Sequence, residues 1–334
     1  MGVALTAADE GVHETGSAGN WNESRYVDFW DAAQRIGGWL RIGMRPNETR
    51  AEMSVCVYLP DGRIAFRFHR PAISGNGLGA GGQKWSVVEP FVRNRVSYDG
   101  PVHVLDDGWQ LADPRAAYAA SPEAACRIEL SVTSLGLPAV MGADQDDIAR
   151  IFLPGQADCH YQHLAWTVGK IEVGDQCWRV TGEGGKDHSW GPRNWHAKTY
   201  FRWHTGVIDE GTGFMLVRGV GPTKQTRSGH VWEDGRFHLV DDFDMRNVYG
   251  GPPHYELRRV HLAISSGDRT WVTLGTPQAW LPLRHRQTGP TGDEAVLRIV
   301  KAPTEWVWAD GRTGAGACEY HDLMDDGRPI GLHD

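Results

Sequence analysis

The chain has 334 residues, a net charge of −8, and 40% hydrophobic against 23% charged residues. That length suits two domains of ordinary size, the composition is that of a folded chain, and the charge repels nucleic-acid phosphates. No stretch approaches the ~20 apolar residues of a bilayer span. Residues 1–20 carry neither a basic run nor an apolar one, so no secretory signal is read and a cytoplasmic location is expected. Cys56, Cys126, Cys159, Cys177 and Cys318 show no C-x-x-C spacing, the pattern of reduced, buried thiols.

Taken in chain order, the elements are mostly strands. Asp-Gly pairs at Asp61-Gly62, Asp99-Gly100, Asp107-Gly108, Asp234-Gly235, Asp310-Gly311 and Asp326-Gly327 mark tight turns, because this pair accepts the positive φ of a hairpin. Between them lie short runs of period two. Ile64, Phe66 and Phe68 share one face, with Arg63 and Arg67 on the other, and Trp306 and Trp308 share another. The Gly-rich run Gly75–Gly82 lacks the Lys-Ser/Thr of a phosphate loop and reads as a surface loop or a lid. Helix signals are few. Asp113 as cap and Pro114 at the first position predict a short helix ending at Ser121-Pro122, and Asp144–Arg150 could form another. The count is about ten strands up to Trp195 and about eight after it. The expected fold class is all-β, two tandem barrel or sandwich domains over 1–194 and 195–334 with few short helices.

The chain holds 15 tryptophans and 15 histidines. Indole supplies rigid apolar wall, and three or four such residues are expected to line a site for an apolar or cationic species. The densest polar cluster is Gly182–Trp195. Within it, Asp187-His188-Ser189 spells a hydrolase triad, but strand alternation puts Asp187 and Ser189 on one face and His188 on the other. There is also no Gly-x-Ser-x-Gly elbow. Metal binding is weak for the same reason: His160 and His163 fall on opposite strand faces, and His196 and His204 lack a third ligand. What remains is acid–base chemistry by Asp187, whose pKa should rise among Trp190, Trp195 and Trp203. The competing reading is an Asp187–Arg193 ion pair that pins the turn.

The run Val180–Trp195, with Asp187-His188-Ser189-Trp190-Gly191 at its centre, resembles the carotenoid hydratase (hydroxyneurosporene synthase) and AttH-like superfamily. His160-Tyr161-Gln162-His163, Thr167–Ile171 and the opening Asn22-Glu23-Ser24-Arg25-Tyr26 carry the same likeness, with Arg25 where an aromatic is usual. So does the ending with Trp306-x-Trp308 and Gly314-x-Gly316-x-x-Glu319-Tyr320. The resemblance is to a divergent bacterial subgroup. It implies two lipocalin-like domains and no metal or organic cofactor. Relatives hydrate carotenoid double bonds, and fungal ones promote cycloaddition of polyene polyketides.

The expected function is that of a cofactor-independent lyase or hydratase, or a cyclase or isomerase, acting on a terpenoid, polyketide or aromatic compound. Asp187 would be the general acid/base, with His188 or His204 as proton partner. Trp190, Arg193, Trp195 and Trp203, with Glu23 and Tyr26, would bind substrate, and His188 and Arg193 could orient a substrate carboxylate or phenolate. The alternative is a non-catalytic carrier of a lipid, steroid or pigment, and a third reading is sugar binding on exposed indoles. The expected partners are a hydrophobic small molecule and, at most, a second copy of the chain in a homodimer.

Overall fold

The computed structural model describes residues 5–73, 78–141, 157–288 and 294–334. The second predicted helix, at 144–150, and residues 75–77 of the Gly-rich run lie outside them. The first part of the chain is a meander of β1 (Trp21–Asp31), β2 (Ile36–Arg45), β3 (Arg50–Tyr58) and β4 (Ile64–His69). The short β5 (Gly79–Ala80), β6 (Gln83–Glu89) and β7 (Arg93–Leu105) follow, then helix α1 (Pro114–Ala120). Long strands β8 (Glu123–Met141), β9 (Cys159–Val173) and β10 (Gln176–Pro192) complete the sheet. These ten strands run β4-β3-β2-β1-β10-β9-β8-β7-β6-β5, and β4 also pairs with β7, closing a barrel.

After a turn at Trp195–Ala197 the chain forms β11 (Tyr200–Asp209), β12 (Thr212–Val220), β13 (Gln225–Glu233), β14 (Arg236–Leu239) and β15 (Asp242–Tyr249). Then come β16 (Leu257–Ser266), β17 (Arg269–Pro277), β18 (Leu281–Thr288), β19 (Glu294–Trp308), β20 (Thr313–Asp325) and β21 (Arg328–Pro329). Their order is β14-β13-β12-β11-β20-β19-β17-β16-β15, with β18 on β19 and β21 on β20. This half-barrel holds eleven strands among the described residues, against about eight expected. The architecture is thus all-β, two tandem lipocalin-like units.

Local sequence accounts for many of the junctions. Asp113 caps α1 through Ala116 N–H at 3.2 Å, with Pro114 at the first position. Asp234-Gly235 and Asp326-Gly327 take positive φ at both residues, as two-residue hairpins require. Asp99-Gly100 lies inside β7 instead of turning, paired with Arg127 and Cys126 of β8. Of the cysteines, Cys177 is exposed and the other four are buried.

Burial divides into three apolar clusters. Val27, Phe29, Leu40 and Val55 point into the barrel. Phe214, Val231, Leu262 and Trp306 fill the concave side of the second sheet. The third cluster lies between the units, where Tyr26, Trp30, Trp39 and Phe66 meet Trp203, Val207 and Val217. Every residue of β1 is therefore buried, the odd positions in the barrel and the even ones against the second sheet. Polar bonds stitch the seam: Trp30 Nε1 donates to Glu305 at 3.1 Å, and the Tyr58 hydroxyl donates to the Lys301 carbonyl at 3.0 Å.

Deep in the second unit, Arg202 is fully buried and donates to both oxygens of Asp322, at 3.2 and 2.8 Å, and to the carbonyls of His321 and Gly331 at 2.9 and 2.7 Å. Tyr200 and Tyr320 flank its guanidinium. This pair ties β11 to β20 and to the C-terminal turn.

Candidate active site

Strand alternation sends every second residue of the shared wall between the units. β1 contributes Ser24 and Tyr26, β2 Trp39 and Arg41, β9 His160 and Gln162, and β10 Asp187 and Ser189. From the other unit come Phe201 and Trp203 on β11, Ile299 and Lys301 on β19, and Glu319 and His321 on β20. They surround a cavity of about 270 Å³, with Leu111, Pro114 and Tyr118 along one side. Three of the fifteen tryptophans line it: Trp39, Trp195 and Trp203.

Asp187 stands on the floor. Its Oδ2 is 3.5 Å from His160 Nε2, and neither side chain is more than 17% exposed. Gln162 Nε2 lies 3.4 Å from the same imidazole nitrogen. The sequence favoured either a carboxyl with raised pKa or an Asp187–Arg193 pair, and the structure gives neither. Burial does push the Asp187 carboxyl up, but His160, Arg193 and Lys301 outweigh it and hold it below the usual carboxylate range. The Asp187 carboxyl is accordingly ionised rather than proton-loaded. Arg193 turns instead to Ser189 Oγ, at 2.7 Å, and Ser189 lies 3.0 Å from Ser24 Oγ.

Tyr26 pairs in register with Asp187 and lines the cavity. Its hydroxyl donates to Asp28 at 3.0 Å, and burial with Asp28 beside it keeps the phenol protonated. Asp28, which also accepts from Gly185 N–H at 2.7 Å, is pushed up by its own burial. Gly184 admits this approach, since a Cβ there would sit 2.2 Å from the Asp28 carbonyl oxygen. Gly191, after Trp190, ends the motif at φ 119°, with Asp158 against the space of a side chain.

The remaining predicted residues lie elsewhere. His188 faces the barrel interior, its Nε2 2.9 Å from Glu23 Oε1 and its Nδ1 3.1 Å from the Tyr161 hydroxyl. Glu23 also accepts from His13 N–H at 3.0 Å, and Trp190 stacks on the His13 ring at 3.7 Å. Glu23, His188 and Trp190 thus form a plug that fastens the N-terminal segment into the barrel mouth, where Glu10 meets Lys186 at 2.7 Å. His204 points into the second unit toward the Tyr320 hydroxyl, 2.9 Å away. Neither proposed proton partner reaches Asp187, because each sits one residue out of phase with the cavity face. Tyr26, Asp187, Arg193, Trp195 and Trp203 are brought together; Glu23, His188, Trp190 and His204 are not. Sequence reading missed His160, Lys198, Lys301, Glu319 and His321 as cavity residues. His160 was the findable one, since it shares its strand face with Gln162.

Among the described residues one group could hold a metal: ligand atoms of His13, Glu23 and His188 lie within 4.8 Å of one another. They already hydrogen-bond among themselves, and Arg25 Nη2, 3.6 Å from Glu23 Oε1, competes for the shared oxygen.

The plug adds to an acid lability that His204, His230 and His285, also lowered by burial, share. Burial lowers His188 to about 4 from 6.5, and hydrogen bonds from His13 and His188 overcome burial to bring Glu23 to about 2. Both groups bind fewer protons folded than unfolded. The plug's contribution to stability is therefore full above pH 6.5 and falls below it, first through His188, then below about pH 4.5 through Glu23. Urea midpoints should drop between pH 7 and pH 5, with His188 responsible for about 2 kcal/mol. A His188→Asn variant should show a correspondingly smaller drop; an unchanged drop would contradict this assignment.

The two-unit β fold recurs among solved structures. Solved structures that share the fold include a protein assigned as an AttH from Nitrosomonas europaea, with TM-score 0.63, 14% identity, and coverage of 95% of this chain and 96% of that one. CghA solved with Sch210972 matches at TM-score 0.53 and 11% identity over 98% and 95% of the two chains. Kievitone hydratase from Nectria haematococca matches at 0.54 and 8%, over 96% and 95%. Residues 6–324 match the family described as a domain of unknown function, DUF7064, and the chain belongs to it. A search of curated proteins finds no match to the sequence. Among the described residues no helix is long and apolar enough to cross a membrane.

Proposed function

We propose that the chain is a cofactor-independent enzyme, a lyase or hydratase or else a cyclase or isomerase, that moves a proton on an apolar small molecule held between its units. The observation that carries this reading is the Asp187–His160 pair, 3.5 Å apart, on the floor of a cavity walled by Phe66, Leu111, Trp203 and Ile299. Removing water to form a double bond needs a proton taken from carbon and a proton given to the departing hydroxyl, and adding it needs the reverse. The ionised Asp187 orients the His160 imidazole and stabilises the imidazolium that forms when it takes the carbon's proton, and that imidazolium returns the proton to the hydroxyl, which leaves as water. Trp39 and Trp203 supply faces that attract a cationic carbon, and Tyr26 completes the wall beside Asp187.

The hydratase named among the fold's neighbours, and the neighbour solved with a bound compound, support a small-molecule reaction. A pure carrier is disfavoured, since it would keep Asp187 and Arg193 paired and away from the cavity, and both line it. Native mass spectrometry of protein from its own host tests the proposal. A co-purified apolar compound that the protein converts on incubation is expected. A compound that is retained and released unaltered would establish a carrier instead.

A further inference from the structure

Resting on the reading of this cavity as a substrate site, we infer that its Trp195 end is an anion subsite, so that the substrate is an apolar body bearing one carboxylate or an equivalent oxyanion such as a phenolate or enolate.

Three basic side chains converge on one indole there. Arg41, Arg193 and Lys198 lie 5.2, 5.4 and 5.8 Å from the Trp195 ring. Their partners do not match their charges. Arg41 reaches Glu52 only at 4.0 Å, and Arg193 bonds a serine hydroxyl. Lys198 is 3% exposed, and among the described residues its amine has neither a carboxylate nor a hydrogen-bond acceptor, only the Phe201 ring at 4.4 Å and Trp195. Several donors beside it are also unmet: Arg193 Nε, Arg41 Nη2 and Trp195 Nε1 are buried without an acceptor.

Elsewhere in the cavity the acids have partners: Asp187 faces His160 and Glu319 faces Lys301. A buried amine without a counter-ion is costly, and a bound anion removes that cost. Burial, with Arg193 and Lys301 nearby, already holds the Lys198 amine well below its usual range. Access fits as well. A recess of about 430 Å³ shares Glu52, Arg70, Arg193, Trp195 and His285 with the cavity and adds Arg45 and Arg50, both paired with Glu48, and Arg286, paired with Glu294, so that arginines still outnumber carboxylates around it. On a chain of net charge −8 this local basic mouth would draw an anion inward. The anionic head would sit at Lys198 and Arg193, leaving the apolar body over the Asp187–His160 floor.

The test uses N-phenyl-1-naphthylamine, a neutral fluorescent probe, as reporter of the cavity in the full chain. Two near-isosteric competitors, 2-naphthoate and 2-naphthamide, then displace it. In the wild type the carboxylate should compete at least tenfold more strongly than the amide. Lys198→Met and, separately, Arg193→Gln should shrink that ratio toward one while the amide's own affinity stays within twofold. Equal competition by the two compounds in the wild type overturns the anion subsite and leaves the apolar cavity standing. Failure of the neutral probe to bind at all overturns the cavity reading itself. A ratio that survives both substitutions places the anion elsewhere and also overturns the assignment.

Discussion

Replacing Asp187 by Asn is expected to lower kcat on the cavity's substrate by about 10²–10⁴-fold, the range for loss of one positioned acid–base group. The amide keeps the size of the carboxylate but loses the charge that orients His160 and stabilises its imidazolium. His160→Gln should cost a similar factor, and the double variant little more than either, because the two act as one unit. Urea midpoints of all three should stay close to the wild type, since the pair is partly exposed to the cavity and forms no part of the apolar clusters. Wild-type turnover in the Asp187→Asn variant would remove Asp187 from the mechanism.

A second large effect is expected on stability. Asp322→Ala strands Arg202, a fully buried guanidinium, without its only carboxylate partner among the described residues. Breaking a buried pair from one side costs about 3–5 kcal/mol, because the remaining charge stays desolvated. Thermal melts should register this as a fall of roughly 10 °C. Removing both charges with apolar residues, as in Arg202→Met with Asp322→Leu, should recover much of the loss, since the pair's desolvation cost disappears with it. A single substitution without effect would mean that the ion pair does not fasten the C-terminal turn to β11 and β20.

The sequence disclosed the architecture better than the site, for physical reasons. Ile64 and Phe66 alternate with Ala65 because β4 turns one face to the seam and the other to the barrel, although Phe68 at its end is exposed, and Asp234-Gly235 announces its hairpin because few other pairs accept two positive φ values. β1 hides its role: both faces are covered, so Glu23, Arg25 and Asp28 are buried beside Val27 and Phe29, and no polarity contrast marks which face meets the cavity. Alternation did separate Asp187 and Ser189 from His188 correctly.

What it could not supply was register across strands. Asp187 reaches His160 because Ser189 pairs with His160, two residues further along β10, an alignment fixed by the whole β9–β10 ladder. Lys301 and Glu319 approach the same chamber from a unit more than a hundred residues away in sequence. The expectation of a raised Asp187 pKa failed for this reason. Its burial was foreseen, and the cations brought to it by the second unit and by β9 were not.

The most direct test of the central claim is a crystal structure of the D187N variant grown with the compound that co-purifies from the host. The account predicts that compound between the two units, its apolar body against Trp39, Phe66 and Trp203 and a reacting atom within hydrogen-bonding reach of His160. Density for the compound inside the first barrel, or on the surface with only solvent between the units, would contradict it.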